Sequence, residues 1–297
     1  MHRRTMLKAM VVTGATAAAA ACSTTQSPAA QPAAQPAEGK PSSAPAVKKA
    51  PTGTFKVETT KLSLSRGTRA LPTTIWRPTT GGPFPLILFS HGLTATPSEY
   101  ADLITTWAKA GFVVAAPAYP HTAGGVRDFN ELDVLNQPAD ASYVITEVVK
   151  RLGNTIDADR IAAAGHSAGG VTTLGMFTGT RDARLRAAVV LAGRQLITTP
   201  LEGAATPILF VHGKRDDTVA YVDGRAVYNA LTWPKAFLTV TRGNHVASDT
   251  ELPVIAATST DFWRWSLYGD EAARSRLKSD ATRGGLATFE SRLDPTA

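Results

Sequence analysis

The stretch GHSAGG, residues 165–170, places Ser167 between two glycines, each two positions away. A serine hydroxyl attacks a carbonyl carbon only when a base lies within hydrogen-bond reach and N–H donors lie where negative charge develops. The run RIAAA before it predicts a strand and the run after it predicts a helix, so we expect Ser167 at a sharp strand-to-helix turn. Gly165 and Gly169 leave the space that this turn requires. The alternative is that Ser167 only caps the helix.

Among the six histidines, His245 is the best candidate for the base. It follows the strand predicted at residues 235–240 and a flexible glycine. His91 and His212 each precede a glycine at the end of a predicted strand, and His166 lies inside the turn itself. We therefore expect these three to make structural hydrogen bonds. The alternative for His245 is an ordinary surface histidine.

Two adjacent carboxylates, Asp216 and Asp217, follow the strand predicted at residues 206–213. A carboxylate can orient the histidine and stabilise its protonated form. We choose Asp216 from its place in an H-G-x-x-D-x-x-V run, with Asp217 as the alternative. An acidic pair can also attract a hard cation, but no third carboxylate lies nearby in the sequence. We therefore predict neither a metal nor another cofactor.

The oxyanion hole needs two N–H donors. The first is the amide of Ala168, the residue after the candidate nucleophile. The second comes from the loop after the strand at residues 85–90, where the pair His91–Gly92 presents the amide of Leu93. A His-Gly pair alone is weak evidence, and its position after this strand makes it informative.

Strands and helices alternate from Pro85 onward, and continuous apolar runs predict strands covered on both faces. The alternation predicts an α/β fold with a mostly parallel central sheet of about eight strands and helices on both faces. Ligands bind beyond the carboxyl ends of such strands, where all the residues above are expected. The predicted strands occupy residues 55–64, 71–78, 85–90, 112–118, 160–165, 187–193, 206–213 and 235–240, and the predicted helices occupy residues 97–111, 137–153, 167–177, 221–231 and 253–269.

The chain order Ser167, Asp216, His245 is typical of the α/β-hydrolase fold. From about Pro85 to His245 the chain resembles α/β-hydrolase serine esterases, in particular the dienelactone-hydrolase-like, platelet-activating-factor-acetylhydrolase-like and chlorophyllase-like groups. This resemblance implies the α/β-hydrolase fold and hydrolysis of carboxylic esters. No insertion in the sequence is large enough for a big lid domain, so we expect a small lid or none, and an open site of this kind favours short or medium acyl chains. The stretches that carry the resemblance are residues 85–120, residues 136–152 and GHSAGG.

Cutinase-like polyester hydrolases are near relatives of these groups. They typically have Met after the nucleophile, an aromatic residue on the strand after the turn's helix, and a disulfide near the C-terminus. This chain has Ala168, the run VLAGRQL and a single cysteine, so polyester cleavage is less favoured. Thioester hydrolysis, peptide hydrolysis and cofactor-free perhydrolysis on the same fold stay open. So does a non-catalytic envelope lipoprotein that binds a ligand.

Residues 119–136 form a long connection after a predicted strand end. Connections at this edge of a parallel sheet commonly border the ligand site. Tyr119, His121 and Phe129 are therefore the candidate residues for lining the acyl or alcohol pocket.

The first 53 residues do not resemble a folded domain. Arg3 and Arg4 precede 13 apolar residues, which is shorter than the ~20 that span a membrane, so residues 1–21 resemble a twin-arginine export signal. The run ends at Cys22 like a bacterial lipoprotein signal, although Ala19 stands where Leu is usual. We expect lipidated Cys22 to anchor the protein in the cell envelope, with free secretion as the alternative.

Residues 22–53 are rich in Pro, Ala, Ser and Gln and predict a disordered tether, which leaves residues 54–297 for one catalytic domain. Six of the 31 basic residues but only one of the 24 acidic residues lie in the first 53 positions, so the net charge of +7 comes mostly from the signal and the tether. The charge is thus no evidence for nucleic acid binding. The expected partners are an ester substrate and, through Cys22, a membrane, and the expected state is a monomer.

Overall fold

The structure, a computed structural model, describes residues 49–179, 181–197 and 199–294. The predicted export signal, Cys22 and the tether up to residue 48 lie outside the described residues. Within the described chain, none of the helices combines the length and the apolar character needed to cross a bilayer.

A single sheet of nine strands runs through the domain, in the order β1-β2-β4-β3-β5-β6-β7-β8-β9. Eight of these strands lie where the sequence predicts strands, so the α/β prediction is confirmed. β3, β4, β7 and β8 are buried along their whole length, as expected of strands covered by helices on both faces. The strands are β1 Val57–Arg66, β2 Arg69–Pro78, β3 Phe84–Ser90, β4 Val113–Pro117, β5 Ile156–His166, β6 Leu185–Leu191, β7 Ile208–Gly213, β8 Lys235–Val240 and β9 Ala287–Arg292.

The sheet is parallel from β4 to β8 and antiparallel at both ends, where β1 pairs with β2, β2 with β4, and β9 with β8. The strand order reverses beside β3, because the chain passes from β3 to β4 on one side and then to β5 on the other. A parallel sheet has its ligand crevice beyond the carboxyl ends of the strands at such a reversal.

The helices cover both faces, as predicted. In the first of them, Leu103, Ile104, Trp107 and Ala108 are buried on one side, which is the spacing of an amphipathic helix. Gly111, with φ +97°, follows this helix and turns the chain into β4. The helices are α1 Ala101–Lys109, α2 Gln137–Leu152, α3 Ala168–Gly175, α4 Tyr221–Ala230, α5 Leu252–Tyr268 and α6 Glu271–Ala281.

Two apolar layers, one on each face of the sheet, form the core. On one face α1 and α5 pack through Trp107 and Trp263, whose rings meet edge to face at 5.8 Å. On the other face Ile145 of α2, Leu174 of α3 and Val227 of α4 close the second layer. Each fully buried aliphatic side chain stabilises the fold by about 2 kcal/mol, so the strand ends that carry the site rest on a rigid base.

The C-terminal segment adds α6 and β9, which lie beyond the last predicted helix at residues 253–269. Asp270 caps α6 by accepting a hydrogen bond from the Ala273 amide at 3.1 Å. β9 then pairs antiparallel with β8 and gives the sheet a ninth strand beyond the eight predicted. The strand that leads to His245 is thereby paired on both sides.

The long connection between β4 and α2 is held to the domain by buried charges. Arg69 of β2 donates to Asp133, which lies in the 3-10 turn Glu131–Leu135, at 2.7 Å and to Asp140 of α2 at 2.6 Å. Breaking a buried pair of this kind leaves an uncompensated charge, so the two carboxylates and Arg69 fix this connection in one place.

Candidate active site

Ser167 occupies the sharp turn between β5 and α3. Its backbone has φ 56° and ψ −119°, a conformation that a residue with a side chain adopts at a cost of about 1–3 kcal/mol. A Cβ on Gly165 would lie 2.1 Å from the Gly169 carbonyl oxygen, and a Cβ on Gly169 would lie 1.9 Å from the Ser90 carbonyl oxygen. Only glycine fits at either position, and the turn that they permit presents Ser167 to the cavity.

The two predicted oxyanion donors follow two neighbouring strands, β3 and β5. Ser90 at the end of β3 pairs with Gly165 near the end of β5, so the loops that follow these strands lie side by side. Ala168 is the first residue of α3, where an amide has no acceptor within its own helix and the helix dipole favours negative charge. In the described part of the chain, no group accepts a hydrogen bond from the Leu93 amide, and Leu93 and Ser167 line the same cavity.

The loops after β7 and β8 are also neighbours, because Gly213 pairs with Val240 at the ends of these strands. Within them, the Arg215 amide donates to the Gly243 carbonyl oxygen at 2.9 Å. A Cβ on Gly213 would lie 2.3 Å from the Asn244 carbonyl oxygen, so the close contact of the loops requires this glycine.

These loops bring Asp216 and His245 together. Nδ1 of His245 lies 2.9 Å from Oδ2 and 3.1 Å from Oδ1 of Asp216. The Asp216 side chain has no exposed surface, and its Oδ1 also accepts from the amides of Thr218 and Val219 at 3.0 and 2.8 Å. Asp217 is exposed and does not reach the histidine, so the structure places Asp216 in the predicted position.

Asp216 is held in its charged form. Burial raises the pKa of the Asp216 carboxyl, but the hydrogen bonds from His245 and from the Val219 and Thr218 amides outweigh it and hold the pKa below its usual value. The carboxylate therefore accepts from Nδ1–H of His245, which leaves Nε2 as the ring nitrogen that can exchange a proton in the cavity.

His212 is a further partner of Asp216. Its Nε2–H donates to the Val219 carbonyl oxygen at 2.9 Å and lies 3.2 Å from Oδ2 of Asp216. Burial lowers the pKa of His212, and this effect outweighs the raising effect of the two acceptors. The neutral ring fixes the turn that carries the carboxylate. His91 likewise donates from Nδ1 to the Gly92 carbonyl oxygen at 2.7 Å, so both make the structural hydrogen bonds expected of them.

A cavity of about 450 Å³, which we call the catalytic cavity, contains Ser167, His245 and Leu93. It extends from the strand ends towards α1 and the start of α5. Its described lining includes four carboxylate side chains and neither lysine nor arginine. The carboxylates belong to Glu99, Asp102, Asp249 and Glu251.

Comparisons with known proteins give the chain its family. A family model described as PET hydrolase-like matches residues 31–273. The chain is 31% identical to cutinase est2 of Thermobifida alba over 253 residues, which cover 84% of this chain and 81% of that protein. It is also 31% identical to cutinase est1 of the same organism, over 84% of this chain and 82% of the relative. The chain belongs to the PET hydrolase-like family.

A third relative covers nearly the whole sequence. It is a cutinase of Thermobifida fusca (strain YX), 27% identical over 96% of this chain and 93% of its own length. Membership of the PET hydrolase-like family confirms the predicted α/β-hydrolase fold and the resemblance to serine esterases, on the polyester-hydrolase side of that group. The protein is a carboxylic ester hydrolase.

None of the three predicted substrate-binding residues of this PET hydrolase-like protein is among the described residues that line the catalytic cavity. Tyr119 has no exposed surface, because its hydroxyl bonds to Ser90 at 2.8 Å inside the core, so it has no surface with which to touch a ligand. His121 is half-buried and bonded to the Asp128 carbonyl oxygen, and Phe129 is exposed. Neither lines the catalytic cavity, and their role in binding stays a prediction.

A second cavity, of about 380 Å³, lies along α3, and we call it the apolar groove. Leu135, Leu196 and Ile197 border it with 43% to 60% of their surfaces exposed. Its described lining holds no charged residue and consists of Val134, Leu135, Pro138, Val171, Leu174, Gly175, Thr178, Gly179, Gln195, Leu196, Ile197 and Thr199.

Sequence reasoning missed two groups at the site. Tyr100, at the start of α1, reaches His166 from 66 positions away, a contact for which the sequence carries no local signal. The contact of His212 with Asp216 spans only four positions in the H-G-x-x-D run, and that spacing was a usable signal. Across residues 49–179, 181–197 and 199–294, no group of three or more His, Cys, Asp or Glu side chains is arranged to hold a metal ion.

Proposed function

We propose that this ester hydrolase works in two steps through an acyl-enzyme on Ser167. The observation that carries the proposal is the hydrogen-bonded pair of Asp216 and His245 on the cavity that also holds Ser167 in its strained turn. An acid, a base and a serine in this chain order, on a fold of this class, support nucleophilic catalysis.

In the first step Oγ of Ser167 attacks the acyl carbon, and its proton passes to Nε2 of His245. The amides of Leu93 and Ala168 donate to the oxyanion of the tetrahedral intermediate. The bond between the acyl carbon and the alcohol oxygen then breaks, and His245 returns the proton to the leaving alcohol. Asp216 stabilises the positive charge that His245 carries between these events.

In the second step water takes the place of the serine hydroxyl. His245 accepts a proton from the water as its oxygen attacks the acyl carbon of the acyl-enzyme. The same two amides donate to the second oxyanion. The bond to Oγ of Ser167 then breaks, and the proton returns to the serine, which releases a carboxylic acid.

The substrates we propose first are soluble esters with short or medium acyl chains. A volume of about 450 Å³ suits a small ligand, and it lies within the range of ordinary ligand pockets. The four carboxylates around the cavity repel negative charge, so neutral and cationic esters are preferred over anionic ones.

Polyester hydrolysis is the second candidate function. Membership of the PET hydrolase-like family and the exposed apolar residues of the apolar groove favour it. Against it stand Ala168, the run VLAGRQL without an aromatic residue, and the single cysteine at position 22. Thioester, peptide and perhydrolase substrates are further alternatives on the same catalytic groups.

We also propose that the protein is exported and anchored in the bacterial cell envelope through lipidated Cys22. The support comes from Arg3–Arg4, the 13-residue apolar run and the small residues before Cys22. Mass spectrometry of the N-terminal peptide from a bacterial membrane fraction tests this. A diacylglyceryl modification on Cys22 supports anchoring, and an unmodified mature protein in the medium supports free secretion.

A substrate panel tests the proposed activity. The wild type and Ser167→Ala are compared on p-nitrophenyl esters of increasing acyl length, on a thioester, on a peptide and on a polyester film. We expect turnover to be highest on the short esters and to fall by about 10⁴-fold or more in Ser167→Ala. Undiminished ester hydrolysis by Ser167→Ala would contradict the proposal, and a folded wild type that turns over no ester would favour the non-catalytic alternative.

A further inference from the structure

His166, the residue before the nucleophile, contacts three parts of the site at once. Its ring is buried, with only 9% of the residue exposed. Its Nε2 lies 2.8 Å from the carbonyl oxygen of His245, and its Nδ1 lies 2.9 Å from the hydroxyl of Tyr100. The backbone of His166 continues directly into Ser167. The ring therefore ties Ser167 to both Tyr100 and the loop of His245.

The chemistry of these groups fixes the direction of each hydrogen bond. A carbonyl oxygen can only accept, so Nε2–H of His166 donates to His245. Nδ1 of a neutral ring then has to accept, and the Tyr100 hydroxyl donates to it. The Tyr100 oxygen in turn accepts from the Gly92 amide at 3.1 Å. The four groups therefore form one continuous chain in which every donor has an acceptor.

Burial keeps this chain of hydrogen-bonded groups in a single protonation state near neutral pH. It lowers the pKa of His166 to about 4, against the opposing effect of the bond to His245, and it raises the pKa of Tyr100 to about 12. Between these values the ring stays neutral and the hydroxyl keeps its proton. The hydrogen bonds therefore do not change direction during a proton transfer at His245.

This series of hydrogen bonds connects the two loops that carry the proposed catalytic groups. Gly92 lies in the oxyanion loop, residues 91–95, next to the Leu93 amide. His245 lies in the base loop, residues 241–248. A Cβ on Gly92 would lie 3.2 Å from the Tyr100 hydroxyl and 3.3 Å from Cβ of Ser167, so the oxyanion loop packs tightly against both.

We propose that Tyr100 and His166 are positioning residues that hold the oxyanion loop and the base loop in register with Ser167. This inference rests on the proposed acyl-enzyme function. The two residues act through their neighbours: Tyr100 fixes the oxyanion loop through the Gly92 amide, and His166 fixes the base loop through the His245 carbonyl group. Misplacing groups that act in the transition state lowers kcat and leaves KM nearly unchanged.

Tyr100→Phe is the first test, because it removes one hydroxyl and keeps the ring that lines the cavity. We expect kcat on a short p-nitrophenyl ester to fall about tenfold while KM stays within about twofold. The matched control is Tyr143→Phe on α2, where no hydrogen bond to the hydroxyl is present among the described residues, and it should keep wild-type kinetics. Thermal unfolding of each variant checks that the protein remains folded.

Two amide substitutions at His166 separate the contacts. His166→Asn keeps a polar atom near the position of Nδ1, and His166→Gln keeps one near the position of Nε2. In the His166→Gln background the bond to Tyr100 is already absent, so Tyr100→Phe should cost no further activity. In the His166→Asn background, Tyr100→Phe should still lower kcat. Two independent packing defects would not make the effect of one substitution depend on the other in this way.

The outcomes separate this inference from the proposed function. An inactive Ser167→Ala together with a tenfold lower kcat in Tyr100→Phe supports both. An inactive Ser167→Ala with wild-type kinetics in a folded Tyr100→Phe overturns only the positioning role. The positioning role is also overturned if Tyr143→Phe is equally impaired, or if the kcat of Tyr100→Phe falls only in proportion to its folded fraction. If a His166 variant does not fold, Tyr100→Phe and its control decide alone.

Discussion

The catalytic cavity and the apolar groove are of similar size, about 450 and 380 Å³, but they are built in opposite ways. The proposed catalytic groups of the cavity are fixed by hydrogen bonds, such as the one that His245 donates to Asp216 at 2.9 Å. The groove is bordered by apolar side chains, of which Ile197 is 60% exposed. The first region is organised for chemistry, and the second offers shape and apolar surface.

The difference sets the size of the effects expected in each region. A substitution in the cavity leaves buried donors or acceptors without partners, at a cost of about 1–3 kcal/mol each, and it also displaces groups that act in the transition state. A substitution at the rim of the groove removes apolar surface worth about 25 cal/mol per Å².

The largest effect is expected at the carboxylate. Asp216→Asn replaces an acceptor by an amide that can no longer stabilise a protonated His245, so kcat should fall by roughly 10³–10⁴-fold. Steady-state kinetics on a short ester measures it. Asp217→Asn is the matched control, since its side chain is exposed and one position away. If Asp217→Asn is the impaired variant, the acid has been assigned to the wrong residue.

The next contrast compares the effect on stability of adding a Cβ at two glycines, Gly169 in the turn that carries Ser167 and Gly179 beside the groove. The Cβ of Gly169→Ala would lie 1.9 Å from the Ser90 carbonyl oxygen, so the free energy of unfolding should fall by about 3 kcal/mol or more. Gly179, beside the groove, has nothing within 4 Å of its Cβ position, and Gly179→Ala should change stability by less than about 1 kcal/mol. Urea unfolding measures both. Equal stability of the two variants would mean that the turn is not packed as described.

At the groove, the expected effect depends on the substrate. Ile197→Ser removes exposed apolar surface, so hydrolysis of a polyester film or a long-chain ester should fall about two- to fivefold, while hydrolysis of short esters should not change. Val222→Ser is the control, because Val222 is 68% exposed on α4 and does not line the groove. A uniform loss on all esters would show that the groove is not a separate contact surface.

The last contrast concerns stability alone, at Asp261 on α5, where no effect on ester hydrolysis is expected. Burial and the neighbouring Asp280 carboxyl raise the pKa of Asp261 to about 6, against the lowering effect of Arg276. Because this pKa is raised on folding, the protonated carboxyl stabilises the fold below about pH 4, and the stabilisation is lost as the pH rises through about 6.

Asp261→Asn removes this dependence. Above pH 6 the variant should be more stable than the wild type, and the two should converge near pH 4. Thermal unfolding at pH 4 and pH 8 measures the difference, and activity on either class of ester should not change. Asp159→Asn, an exposed site, should follow the wild type at both pH values. Parallel curves for Asp261→Asn and the wild type would contradict the assignment.

Local patterns were sufficient to predict most of the fold. The apolar runs of β3 to β8 and the helical spacing around Trp107 are properties of short segments. β9 and α6 were not predicted, because α6 is rich in charge and buries few side chains, such as Leu277. The pairing of β9 with β8 joins segments about 50 positions apart, and such pairing leaves no local signal.

The positions of Ser167, Asp216 and His245 were predictable from the strand ends that precede them, and their catalytic roles stand as a proposal. The site was not predictable where three-dimensional packing decides. Tyr119 also follows a strand end, but its side chain points into the core, where its hydroxyl is hydrogen-bonded to the hydroxyl of Ser90. The contact between Tyr100 and His166 depends on how α1 crosses the sheet.

Covalent labelling with a fluorophosphonate, followed by peptide mass spectrometry, tests the central claim most directly. Only an activated serine reacts, and the adduct is stable enough to map. We expect one adduct per chain, on Ser167, with labelling abolished in Ser167→Ala and strongly slowed in Asp216→Asn. An adduct on another residue, or an unlabelled protein that hydrolyses esters at the normal rate, would contradict the proposed acyl-enzyme on Ser167.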